Sequence, residues 1–569
     1  MAVIRKIEIR HFRGIASLDW CPSVGINCLI GPGDSCKTTI LDAIDLCLSA
    51  RRNLTLNDSD FHNLNVATPI TISITVGALG DNLKNLESYG LYLRGFDPKT
   101  GDLHDEPDTG LETVLTLRLT VAADLEPSWT LVSDRAEQQG QSRGLGWTDR
   151  ASMSPTRLGA YADQNLSWGR ASILNKISDE TIAASTALAD LARNARNAFG
   201  QQAEAGLPKA LATVQTTAIE LGVPVGGAVK AMLDAQSVSF SGGTISLHGE
   251  DGVPLKSLGL GSKRLLIAGL QRAAAATTPI VLVDEIEHGL EPHRVIRLID
   301  ALGAKEAKPP LQTFLTSHSP VAVRELSANQ LYVVRSNGTS HLVHRASDSG
   351  DVQGTIRLSP DALLARSVLV CEGATEIGLI RGIDQFRATT GAASLTACGA
   401  AIVDGGGENV FKRARAFQLL GYRTAVLHDS DKIPTPDVKA AFEADGSPTF
   451  AWQENCSTEE ELFLSLSDSA ALALLENAVL RRSDKTIDDQ IRSACAAKHS
   501  LASFRANLTT EARAILGLAS KAKHSGWYKS ISDMEVVARD IVAPDMQNCA
   551  APLKTTIAGV FKWITDGSR

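Results

Sequence analysis

At 569 residues the chain exceeds what one hydrophobic core supports, so two to four domains are expected. Its 44% hydrophobic and 21% charged residues exclude disorder and collagen, and no apolar run nears the roughly 20 residues of a bilayer span. A net charge of −8 gives no global attraction to nucleic acid, so any DNA contact must come from local patches.

The opening MAVIRKIEIRHFRG alternates apolar and basic residues as a strand does and lacks the apolar block of a secretory signal, so a cytoplasmic address is expected. Nine scattered cysteines with no C-x-x-C pair argue against a disulfide framework and a zinc site. They read as small core residues.

Residues 26–49, INCLIGPGDSCKTTILDAIDLCLS, read as strand, glycine turn and helix. Gly31, Gly33, Asp34, Ser35 and Cys36 would lay backbone N–H groups around phosphate oxygens. Lys37 would neutralise the terminal phosphates, and Thr38, with Thr39 beside it, would hold magnesium. The spacing follows G-x-x-x-x-G-K-[ST] except that Cys36 replaces the last glycine. Cysteine is small, and a residue with helical dihedrals needs no glycine, so the loop reads as adapted. A glycine turn before a core helix is the alternative.

Residues 95–155 are rich in Gly, Asp and Pro and are expected to form a sheet with long polar loops. Apolar residues at spacings of three and four in 175–235 read as packed amphipathic helices, most simply an insertion. LKSLGLGSKRLLIAGLQRA is a glycine-rich turn leading into a helix whose N-terminus suits a phosphate of a second nucleotide. PIVLVDEIE is an unbroken apolar strand ending in acids, where Asp284 would bind magnesium through water and Glu285 would orient the attacking water. QTFLTSHSP is another strand, ending at His318, placed to sense the terminal phosphate; a structural histidine is the alternative.

The order GPGDSCKTT, LGLGSKRL, VLVDEIEHGLEPHR, LTSHSP resembles the ATPase head of the SMC, RecF and overcoming-lysogenization-defect (OLD) proteins. In such heads the signature segment of one subunit completes the nucleotide site of another. The resemblance therefore implies ATP, and a dimer in which Ser262 or its neighbours reach ATP bound at Lys37 of the other copy. It places a magnesium contact at Asp60, with Asp58 competing for the role.

Further along, RSVLVCEGATE, AAIVDGGGENVF and YRTAVLHDSDK are apolar strands ending in Glu372 (with Glu376 opening a helix), Asp404, and Asp429 with Asp431. The C-terminal ends of parallel strands share one edge of a doubly wound sheet, so these acids can converge. Crowded carboxylates repel unless divalent metal, magnesium or manganese, neutralises them. Solvated acidic turns are the alternative. The pattern resembles the TOPRIM signature, and in OLD nucleases a further glutamate and a late lysine complete a two-metal site. By that resemblance CSTEEELF points to Glu459 ahead of Glu460 or Glu461, and SGWYKSISDME points to Lys529. Lys412, Arg413 and Arg415 would hold a DNA backbone or simply form a solvated helical face.

The expected architecture is multi-domain α/β. An ABC-type P-loop ATPase head occupies 1–170 and 239–355, a helical insertion 171–238, and a Rossmann-like TOPRIM domain with C-terminal helices 360–569. The expected function is that of an ATP-hydrolysing, metal-dependent DNA endonuclease or nickase, catalytic through Glu372, Asp429, Asp431, Lys529, Glu285 and His318. Glu372, Glu376, Asp404, Asp429, Asp431, Glu459, Thr38, Asp284 and Asp60 would be its metal ligands. Expected partners are DNA, further copies of the chain through the heads and insertion, and a second protein in antiphage defence, with no membrane. An ATPase sensor or scaffold with a non-cleaving TOPRIM domain is the main alternative. A topoisomerase or primase lacks support, since no zinc module is evident and nothing around the six tyrosines marks a nucleophile.

Overall fold

The computed structural model describes residues 2–50, 54–158, 166, 173–174, 181–221, 224–226, 228–231, 247–276, 279–338, 340–346, 350–431, 436–522 and 525–567. Its strands are, in chain order, β1 (Val3–Phe12), β2 (Ile15–Trp20), β3 (Ile26–Ile30), β4 (Ile70–Gly77), β5 (Arg94–Phe96), β6 (Leu103–His104), β7 (Glu112–Val121), β8 (Pro127–Leu131) and β9 (Thr156–Leu158). They continue with β10 (Ile280–Val283), β11 (Gln312–Thr316), β12 (Leu331–Ser336), β13 (His341–Arg345), β14 (Ser367–Cys371), β15 (Ala400–Asp404), β16 (Arg423–His428) and β17 (Thr449–Ala451). The chain divides into two compact units, residues 1–28 with 38–317 and residues 29–37 with 318–569.

In the first unit β1 pairs antiparallel with β2 and β4, and β7 pairs antiparallel with β4, β5 and β8. Ile4, Ile7, Ile9 and Phe12 of β1 are all buried, although Ile4 and Ile7 stand an odd number of residues apart. A register shift between Ile4 and Lys6 turns both toward the core. β9, β10 and β11 form a parallel set with Leu282 opposite Arg157 and Phe314. β10 and β11 are buried along their whole length, as parallel strands covered on both faces must be. Helix α1 (Lys37–Leu48) follows the glycine turn. The expected insertion contributes α2 (Thr181–Gly206) and α3 (Pro208–Glu220), and its residues 171–172, 175–180, 222–223, 227 and 232–238 lie outside the described residues. Helix α4 (Leu260–Ala273) precedes β10, and α5 (Pro292–Ala301) follows it.

In the second unit β12 and β13 form an antiparallel hairpin with Val334 opposite Val343. β14, β15, β16 and β17 form a parallel sheet in the order β15-β14-β16-β17. This is the Rossmann-like arrangement expected from the three acid-terminated strands. Helices α6 (Ala374–Thr389), α7 (Val410–Leu419), α8 (Thr458–Ser465), α9 (Thr510–Ser520) and α10 (Ile531–Val537) accompany it, and Ala551–Asp566 forms a final helix. Helix α6 carries Glu376 in its first turn and lies close against α10. The approach depends on Gly378, where a Cβ would stand 2.6 Å from Ile531 O and 2.8 Å from Met534 Cβ.

No helix among the described residues is long and apolar enough to cross a membrane.

Alanine normally favours a helix over glycine, yet here the added methyl meets backbone, which cannot rotate away. Gly378→Ala should therefore destabilise the protein by about 1–3 kcal/mol. Chemical denaturation followed by circular dichroism checks this, and an unchanged or higher midpoint would contradict the close approach.

Candidate active sites

The glycine turn folds onto its own lysine. Lys37, only 5% exposed, places Nζ 3.2 Å from Gly31 O, 2.7 Å from Pro32 O and 3.1 Å from Ser35 Oγ. Cys36 corrects one expectation. Its φ is +62°, so it has left-handed and not helical dihedrals, and Asp34 is left-handed as well, at +59°. For a residue with a Cβ that conformation costs roughly 1–2 kcal/mol, which is the physical reason glycine stands at this point of the G-x-x-x-x-G-K-[ST] pattern. The loop thus keeps its shape under strain, as functional turns often do.

Within the first unit, Asp284 is the centre of a connected polar group at the end of β10. Its Oδ1 accepts from Thr38 Oγ1 at 3.1 Å and from Thr316 Oγ1 at 2.8 Å. Arg157 Nη2 lies 3.5 Å from its Oδ2 and Arg157 Nη1 lies 2.6 Å from Asp42 Oδ1. Glu285 is exposed, and its N–H donates to Thr316 Oγ1 at 2.7 Å. Its φ of +46° is unusual for a residue without glycine's freedom. Arg264 of α4, 2% exposed, donates to the carbonyls of Asp284, Glu285 and His288 at 2.7–3.0 Å and so clamps this turn to the helix that carries Ser262. Ser262 Oγ accepts from Arg294 at 3.2 Å. Asp60 is buried with one oxygen on Arg13 Nε at 2.8 Å and the other on Asn57 N at 3.1 Å, whereas Asp58 is exposed. His318 is exposed in the loop after β11.

The second unit gathers Glu372, Glu376, Asp429, Asp431, Glu459 and Lys529 around the carboxyl edge of its sheet. Glu372 Oε2 accepts the Asp429 N–H at 3.0 Å, which ties the ends of β14 and β16 together. Thr458 Oγ1 stands 2.5 Å from Glu376 Oε1 and 2.9 Å from Asp429 Oδ1, and accepts from Trp452 Nε1 at 2.7 Å. A hydroxyl has one proton to give, so it cannot donate to both carboxylates. One of the two carries its own, and Glu376 fits that part. It is 3% exposed, and burial first, then Asp429, pushes its pKa well up. Burial, followed by Glu372 and Glu459, raises Asp429 to about 7.

Glu459 is 1% exposed; its Oε1 lies 2.7 Å from Lys529 Nζ, and its Oε2 has no hydrogen-bond partner among the described residues. Burial works against the Lys529 ammonium, but Glu459, with Asp429 and Glu376 behind it, outweighs burial and raises its pKa. Glu460 is occupied elsewhere, accepting from Ser457 N at 3.0 Å and pairing with Lys521 at 2.8 Å. Glu461 accepts from Gln453 N and Ser465 Oγ. Of the three neighbouring glutamates only Glu459 faces the cluster. Lys521 Nζ also lies 3.3 Å from Asp431 Oδ2. Asp404 ends β15 on the same edge, exposed, accepting from the Gly406 N–H of its own turn at 2.7 Å. Among the described residues no three histidine, cysteine or acidic side chains converge on one point as a finished metal cage.

Of the basic residues expected to face DNA, Arg413 donates to Asp404 O at 2.5 Å, Arg415 pairs with Asp445, and Lys412 is exposed. Sequence reasoning missed Thr316, Arg157, Arg264, Thr458 and Lys521. Arg264 and Thr316 lie inside segments already singled out, LGLGSKRL and LTSHSP, and Thr458 directly precedes Glu459; Arg157 and Lys521 act only through long-range folding.

Residues 26–324 match the family model described as "AAA domain, putative AbiEii toxin, Type IV TA system". Residues 363–431 match the one described as "Overcoming lysogenization defect protein-like, TOPRIM domain". Glu459 and Lys529 lie beyond that second match. No curated protein matches the chain. Among solved structures, an SMC head bound to the C-winged helix domain of ScpA is 16% identical, over 60% of this chain and 96% of that one, with a TM-score of 0.34. The SMC head domain from Thermotoga maritima is 13% identical, over 61% and 99%, with a TM-score of 0.28.

A carboxyl whose pKa is raised by folding adds stability that is complete below its ordinary value of 3.8 and is lost as pH rises through about 7. Thermal melts in EDTA should therefore show stability falling between about pH 4 and pH 7, with Asp429→Asn flattening the fall. An equal slope in both proteins would contradict the crowding.

Proposed function

Since the chain belongs to the AAA-domain family that its residues 26–324 match, and carries an OLD-like TOPRIM domain over 363–431, we propose that this nuclease-type ATPase is a metal-dependent DNA endonuclease or nickase. The observation that carries the proposal is the carboxylate group of buried Glu376 and Glu459 with half-buried Asp429 between them, which has too little positive charge of its own. A partly exposed ion pair such as Lys529–Glu459 is worth about 1 kcal/mol or less. Taking each carboxylate out of water costs several. Proton uptake settles the difference in the metal-free protein, and the partnerless Glu459 Oε2 and the Asp429 carboxylate are chemically suited to a hard divalent cation.

Glu372, Glu376, Asp404, Asp429, Asp431 and Glu459 would hold magnesium or manganese. When bound, such ions would lower the pKa of a water and stabilise the leaving oxygen of a phosphodiester. Lys529, anchored on Glu459, would place its ammonium where phosphate charge grows in the transition state. Lys412 on α7 would touch the DNA backbone.

In the ATPase part, Lys37 would exchange the loop's own carbonyls for nucleotide phosphates, and Thr38 and Asp284 would hold the nucleotide's magnesium. Glu285 would orient water, with His318 near the terminal phosphate. Ser262 would act on the nucleotide of a second copy, and exposed Leu191, Val214, Ile219 and Leu221 on and beside α2 and α3 support association through the insertion. A role in antiphage defence, alongside a second protein, would accompany this reading.

The absence of three convergent ligands among the described residues favours a second reading, in which the TOPRIM domain binds metal and nucleic acid without cutting. Incubating supercoiled DNA with magnesium or manganese, with and without ATP, separates the two. Wild type and Lys37→Ala should cut, whereas Glu372→Ala should fall to the metal-free control. No cutting by wild type under any of these conditions would leave the binding-only reading.

A further inference from the structure

Four short-range contacts, all within the second compact unit, connect the phosphate loop to the carboxylate cluster. The first is at Gly31, whose φ is +134°; a Cβ there would stand 2.8 Å from Val334 O and 3.6 Å from Val334 N. The loop therefore rests directly on the backbone of β12, with no side chain between them to absorb a change in shape. Lys37 Nζ lies 3.2 Å from the carbonyl of the same glycine, so a change at the lysine is felt at Gly31.

The second contact belongs to the next residue of β12. Arg335 Nη1 donates to Arg366 O at 3.0 Å and Nη2 donates to Ala365 O at 3.2 Å. The third is its guanidinium carbon, 4.0 Å from the centre of the Tyr422 ring. Arg366 is the residue before β14, and Tyr422 is the residue before β16. These strands are parallel neighbours with Ser367 opposite Arg423, so one planar group grips the feet of both at the same level. Their far ends carry Glu372, Asp429 and Asp431. Both strands are buried almost throughout, so they transmit displacement as stiff elements.

The fourth contact repeats the grip from the other strand of the hairpin. Gly421, at φ +78°, has no room for a Cβ, which would stand 2.9 Å from Cδ2 of His344, and His344 pairs with Val333 of β12. Tyr422 is 3% exposed and donates its hydroxyl to Leu363 O, which fixes the ring on which Arg335 lies.

We propose that Arg335 is a positioning residue that passes nucleotide binding at the phosphate loop to the spacing of Glu372 and Asp429, through the feet of β14 and β16. The proposal rests on the ATPase–nuclease reading above. An arginine is required because only a planar fork bonds two carbonyls while its face lies on a ring; a lysine keeps the charge and loses that geometry.

Hydrogen exchange of the full chain tests this, comparing magnesium alone with magnesium plus the non-hydrolysable analogue AMP-PNP. The readout is the backbone of residues 366–372 and 423–431. In wild type the nucleotide should change exchange there by roughly fivefold or more, the lower end of coupling between linked sites. Arg335→Gln and the milder Arg335→Lys should bind AMP-PNP as wild type does and lose the response. A response preserved in Arg335→Lys, or a wild type that binds AMP-PNP without any response, would overturn the proposal. A wild type that binds no AMP-PNP would instead overturn the ATPase reading, and this inference with it.

Discussion

Carboxylates crowded together where water reaches them poorly are the constraint around which the second unit is built. Glu376, Asp429 and Glu459 come from a helix start, a strand end and a second helix start, and each is delivered by an element that is itself well packed. None of these positions is favourable for an isolated ion, and the fold accepts them only because other features are fixed around them. Thr458 bridges two of the acids, Lys529 meets the third, and the Asp429 N–H holds Glu372 in place. Such a group is poorly explained as stabilisation, since buried charges of one sign cost more than they return. It is well explained as a preorganised site.

The same economy of strained parts recurs at Glu285 and in the phosphate loop. Glu285 and the phosphate loop's Asp34 and Cys36 hold left-handed dihedrals without being glycine. Each is kept there by its surroundings: Glu285 by the Thr316 hydroxyl and by the Arg264 guanidinium, which reads the carbonyls on either side of it. Because Arg264 belongs to the helix that carries Ser262, a displacement of that helix would be delivered to the turn that holds Glu285. Chemistry at these turns depends on backbone shape as much as on side-chain identity.

Much of this was legible in the sequence, for a definite reason. Apolar strands that end in acids announce both their burial and the edge they share, so Asp284, Glu372, Asp429 and Asp431 could be placed from local pattern alone. Glu459 needed a family resemblance, because three consecutive glutamates look alike until the helix phase assigns one to the cluster, one to a cap and one to Ser465. Cys36 was misread because absence of the glycine hides the dihedral that glycine would have advertised. Thr458, Lys521 and Arg335 were invisible. A threonine among glutamates, a lysine at a helix end and an arginine near the end of a strand all read as solvent-facing until distant chain folds onto them.

A carboxylate cluster of this kind is expected to be completed by a divalent cation. The most direct test is a crystal of the full chain soaked with manganese and measured for anomalous scattering. Density should stand against Asp429 and Glu459 in wild type and be lost in Glu459→Gln. Density confined to the phosphate loop and Asp284, with none at the cluster, would contradict it.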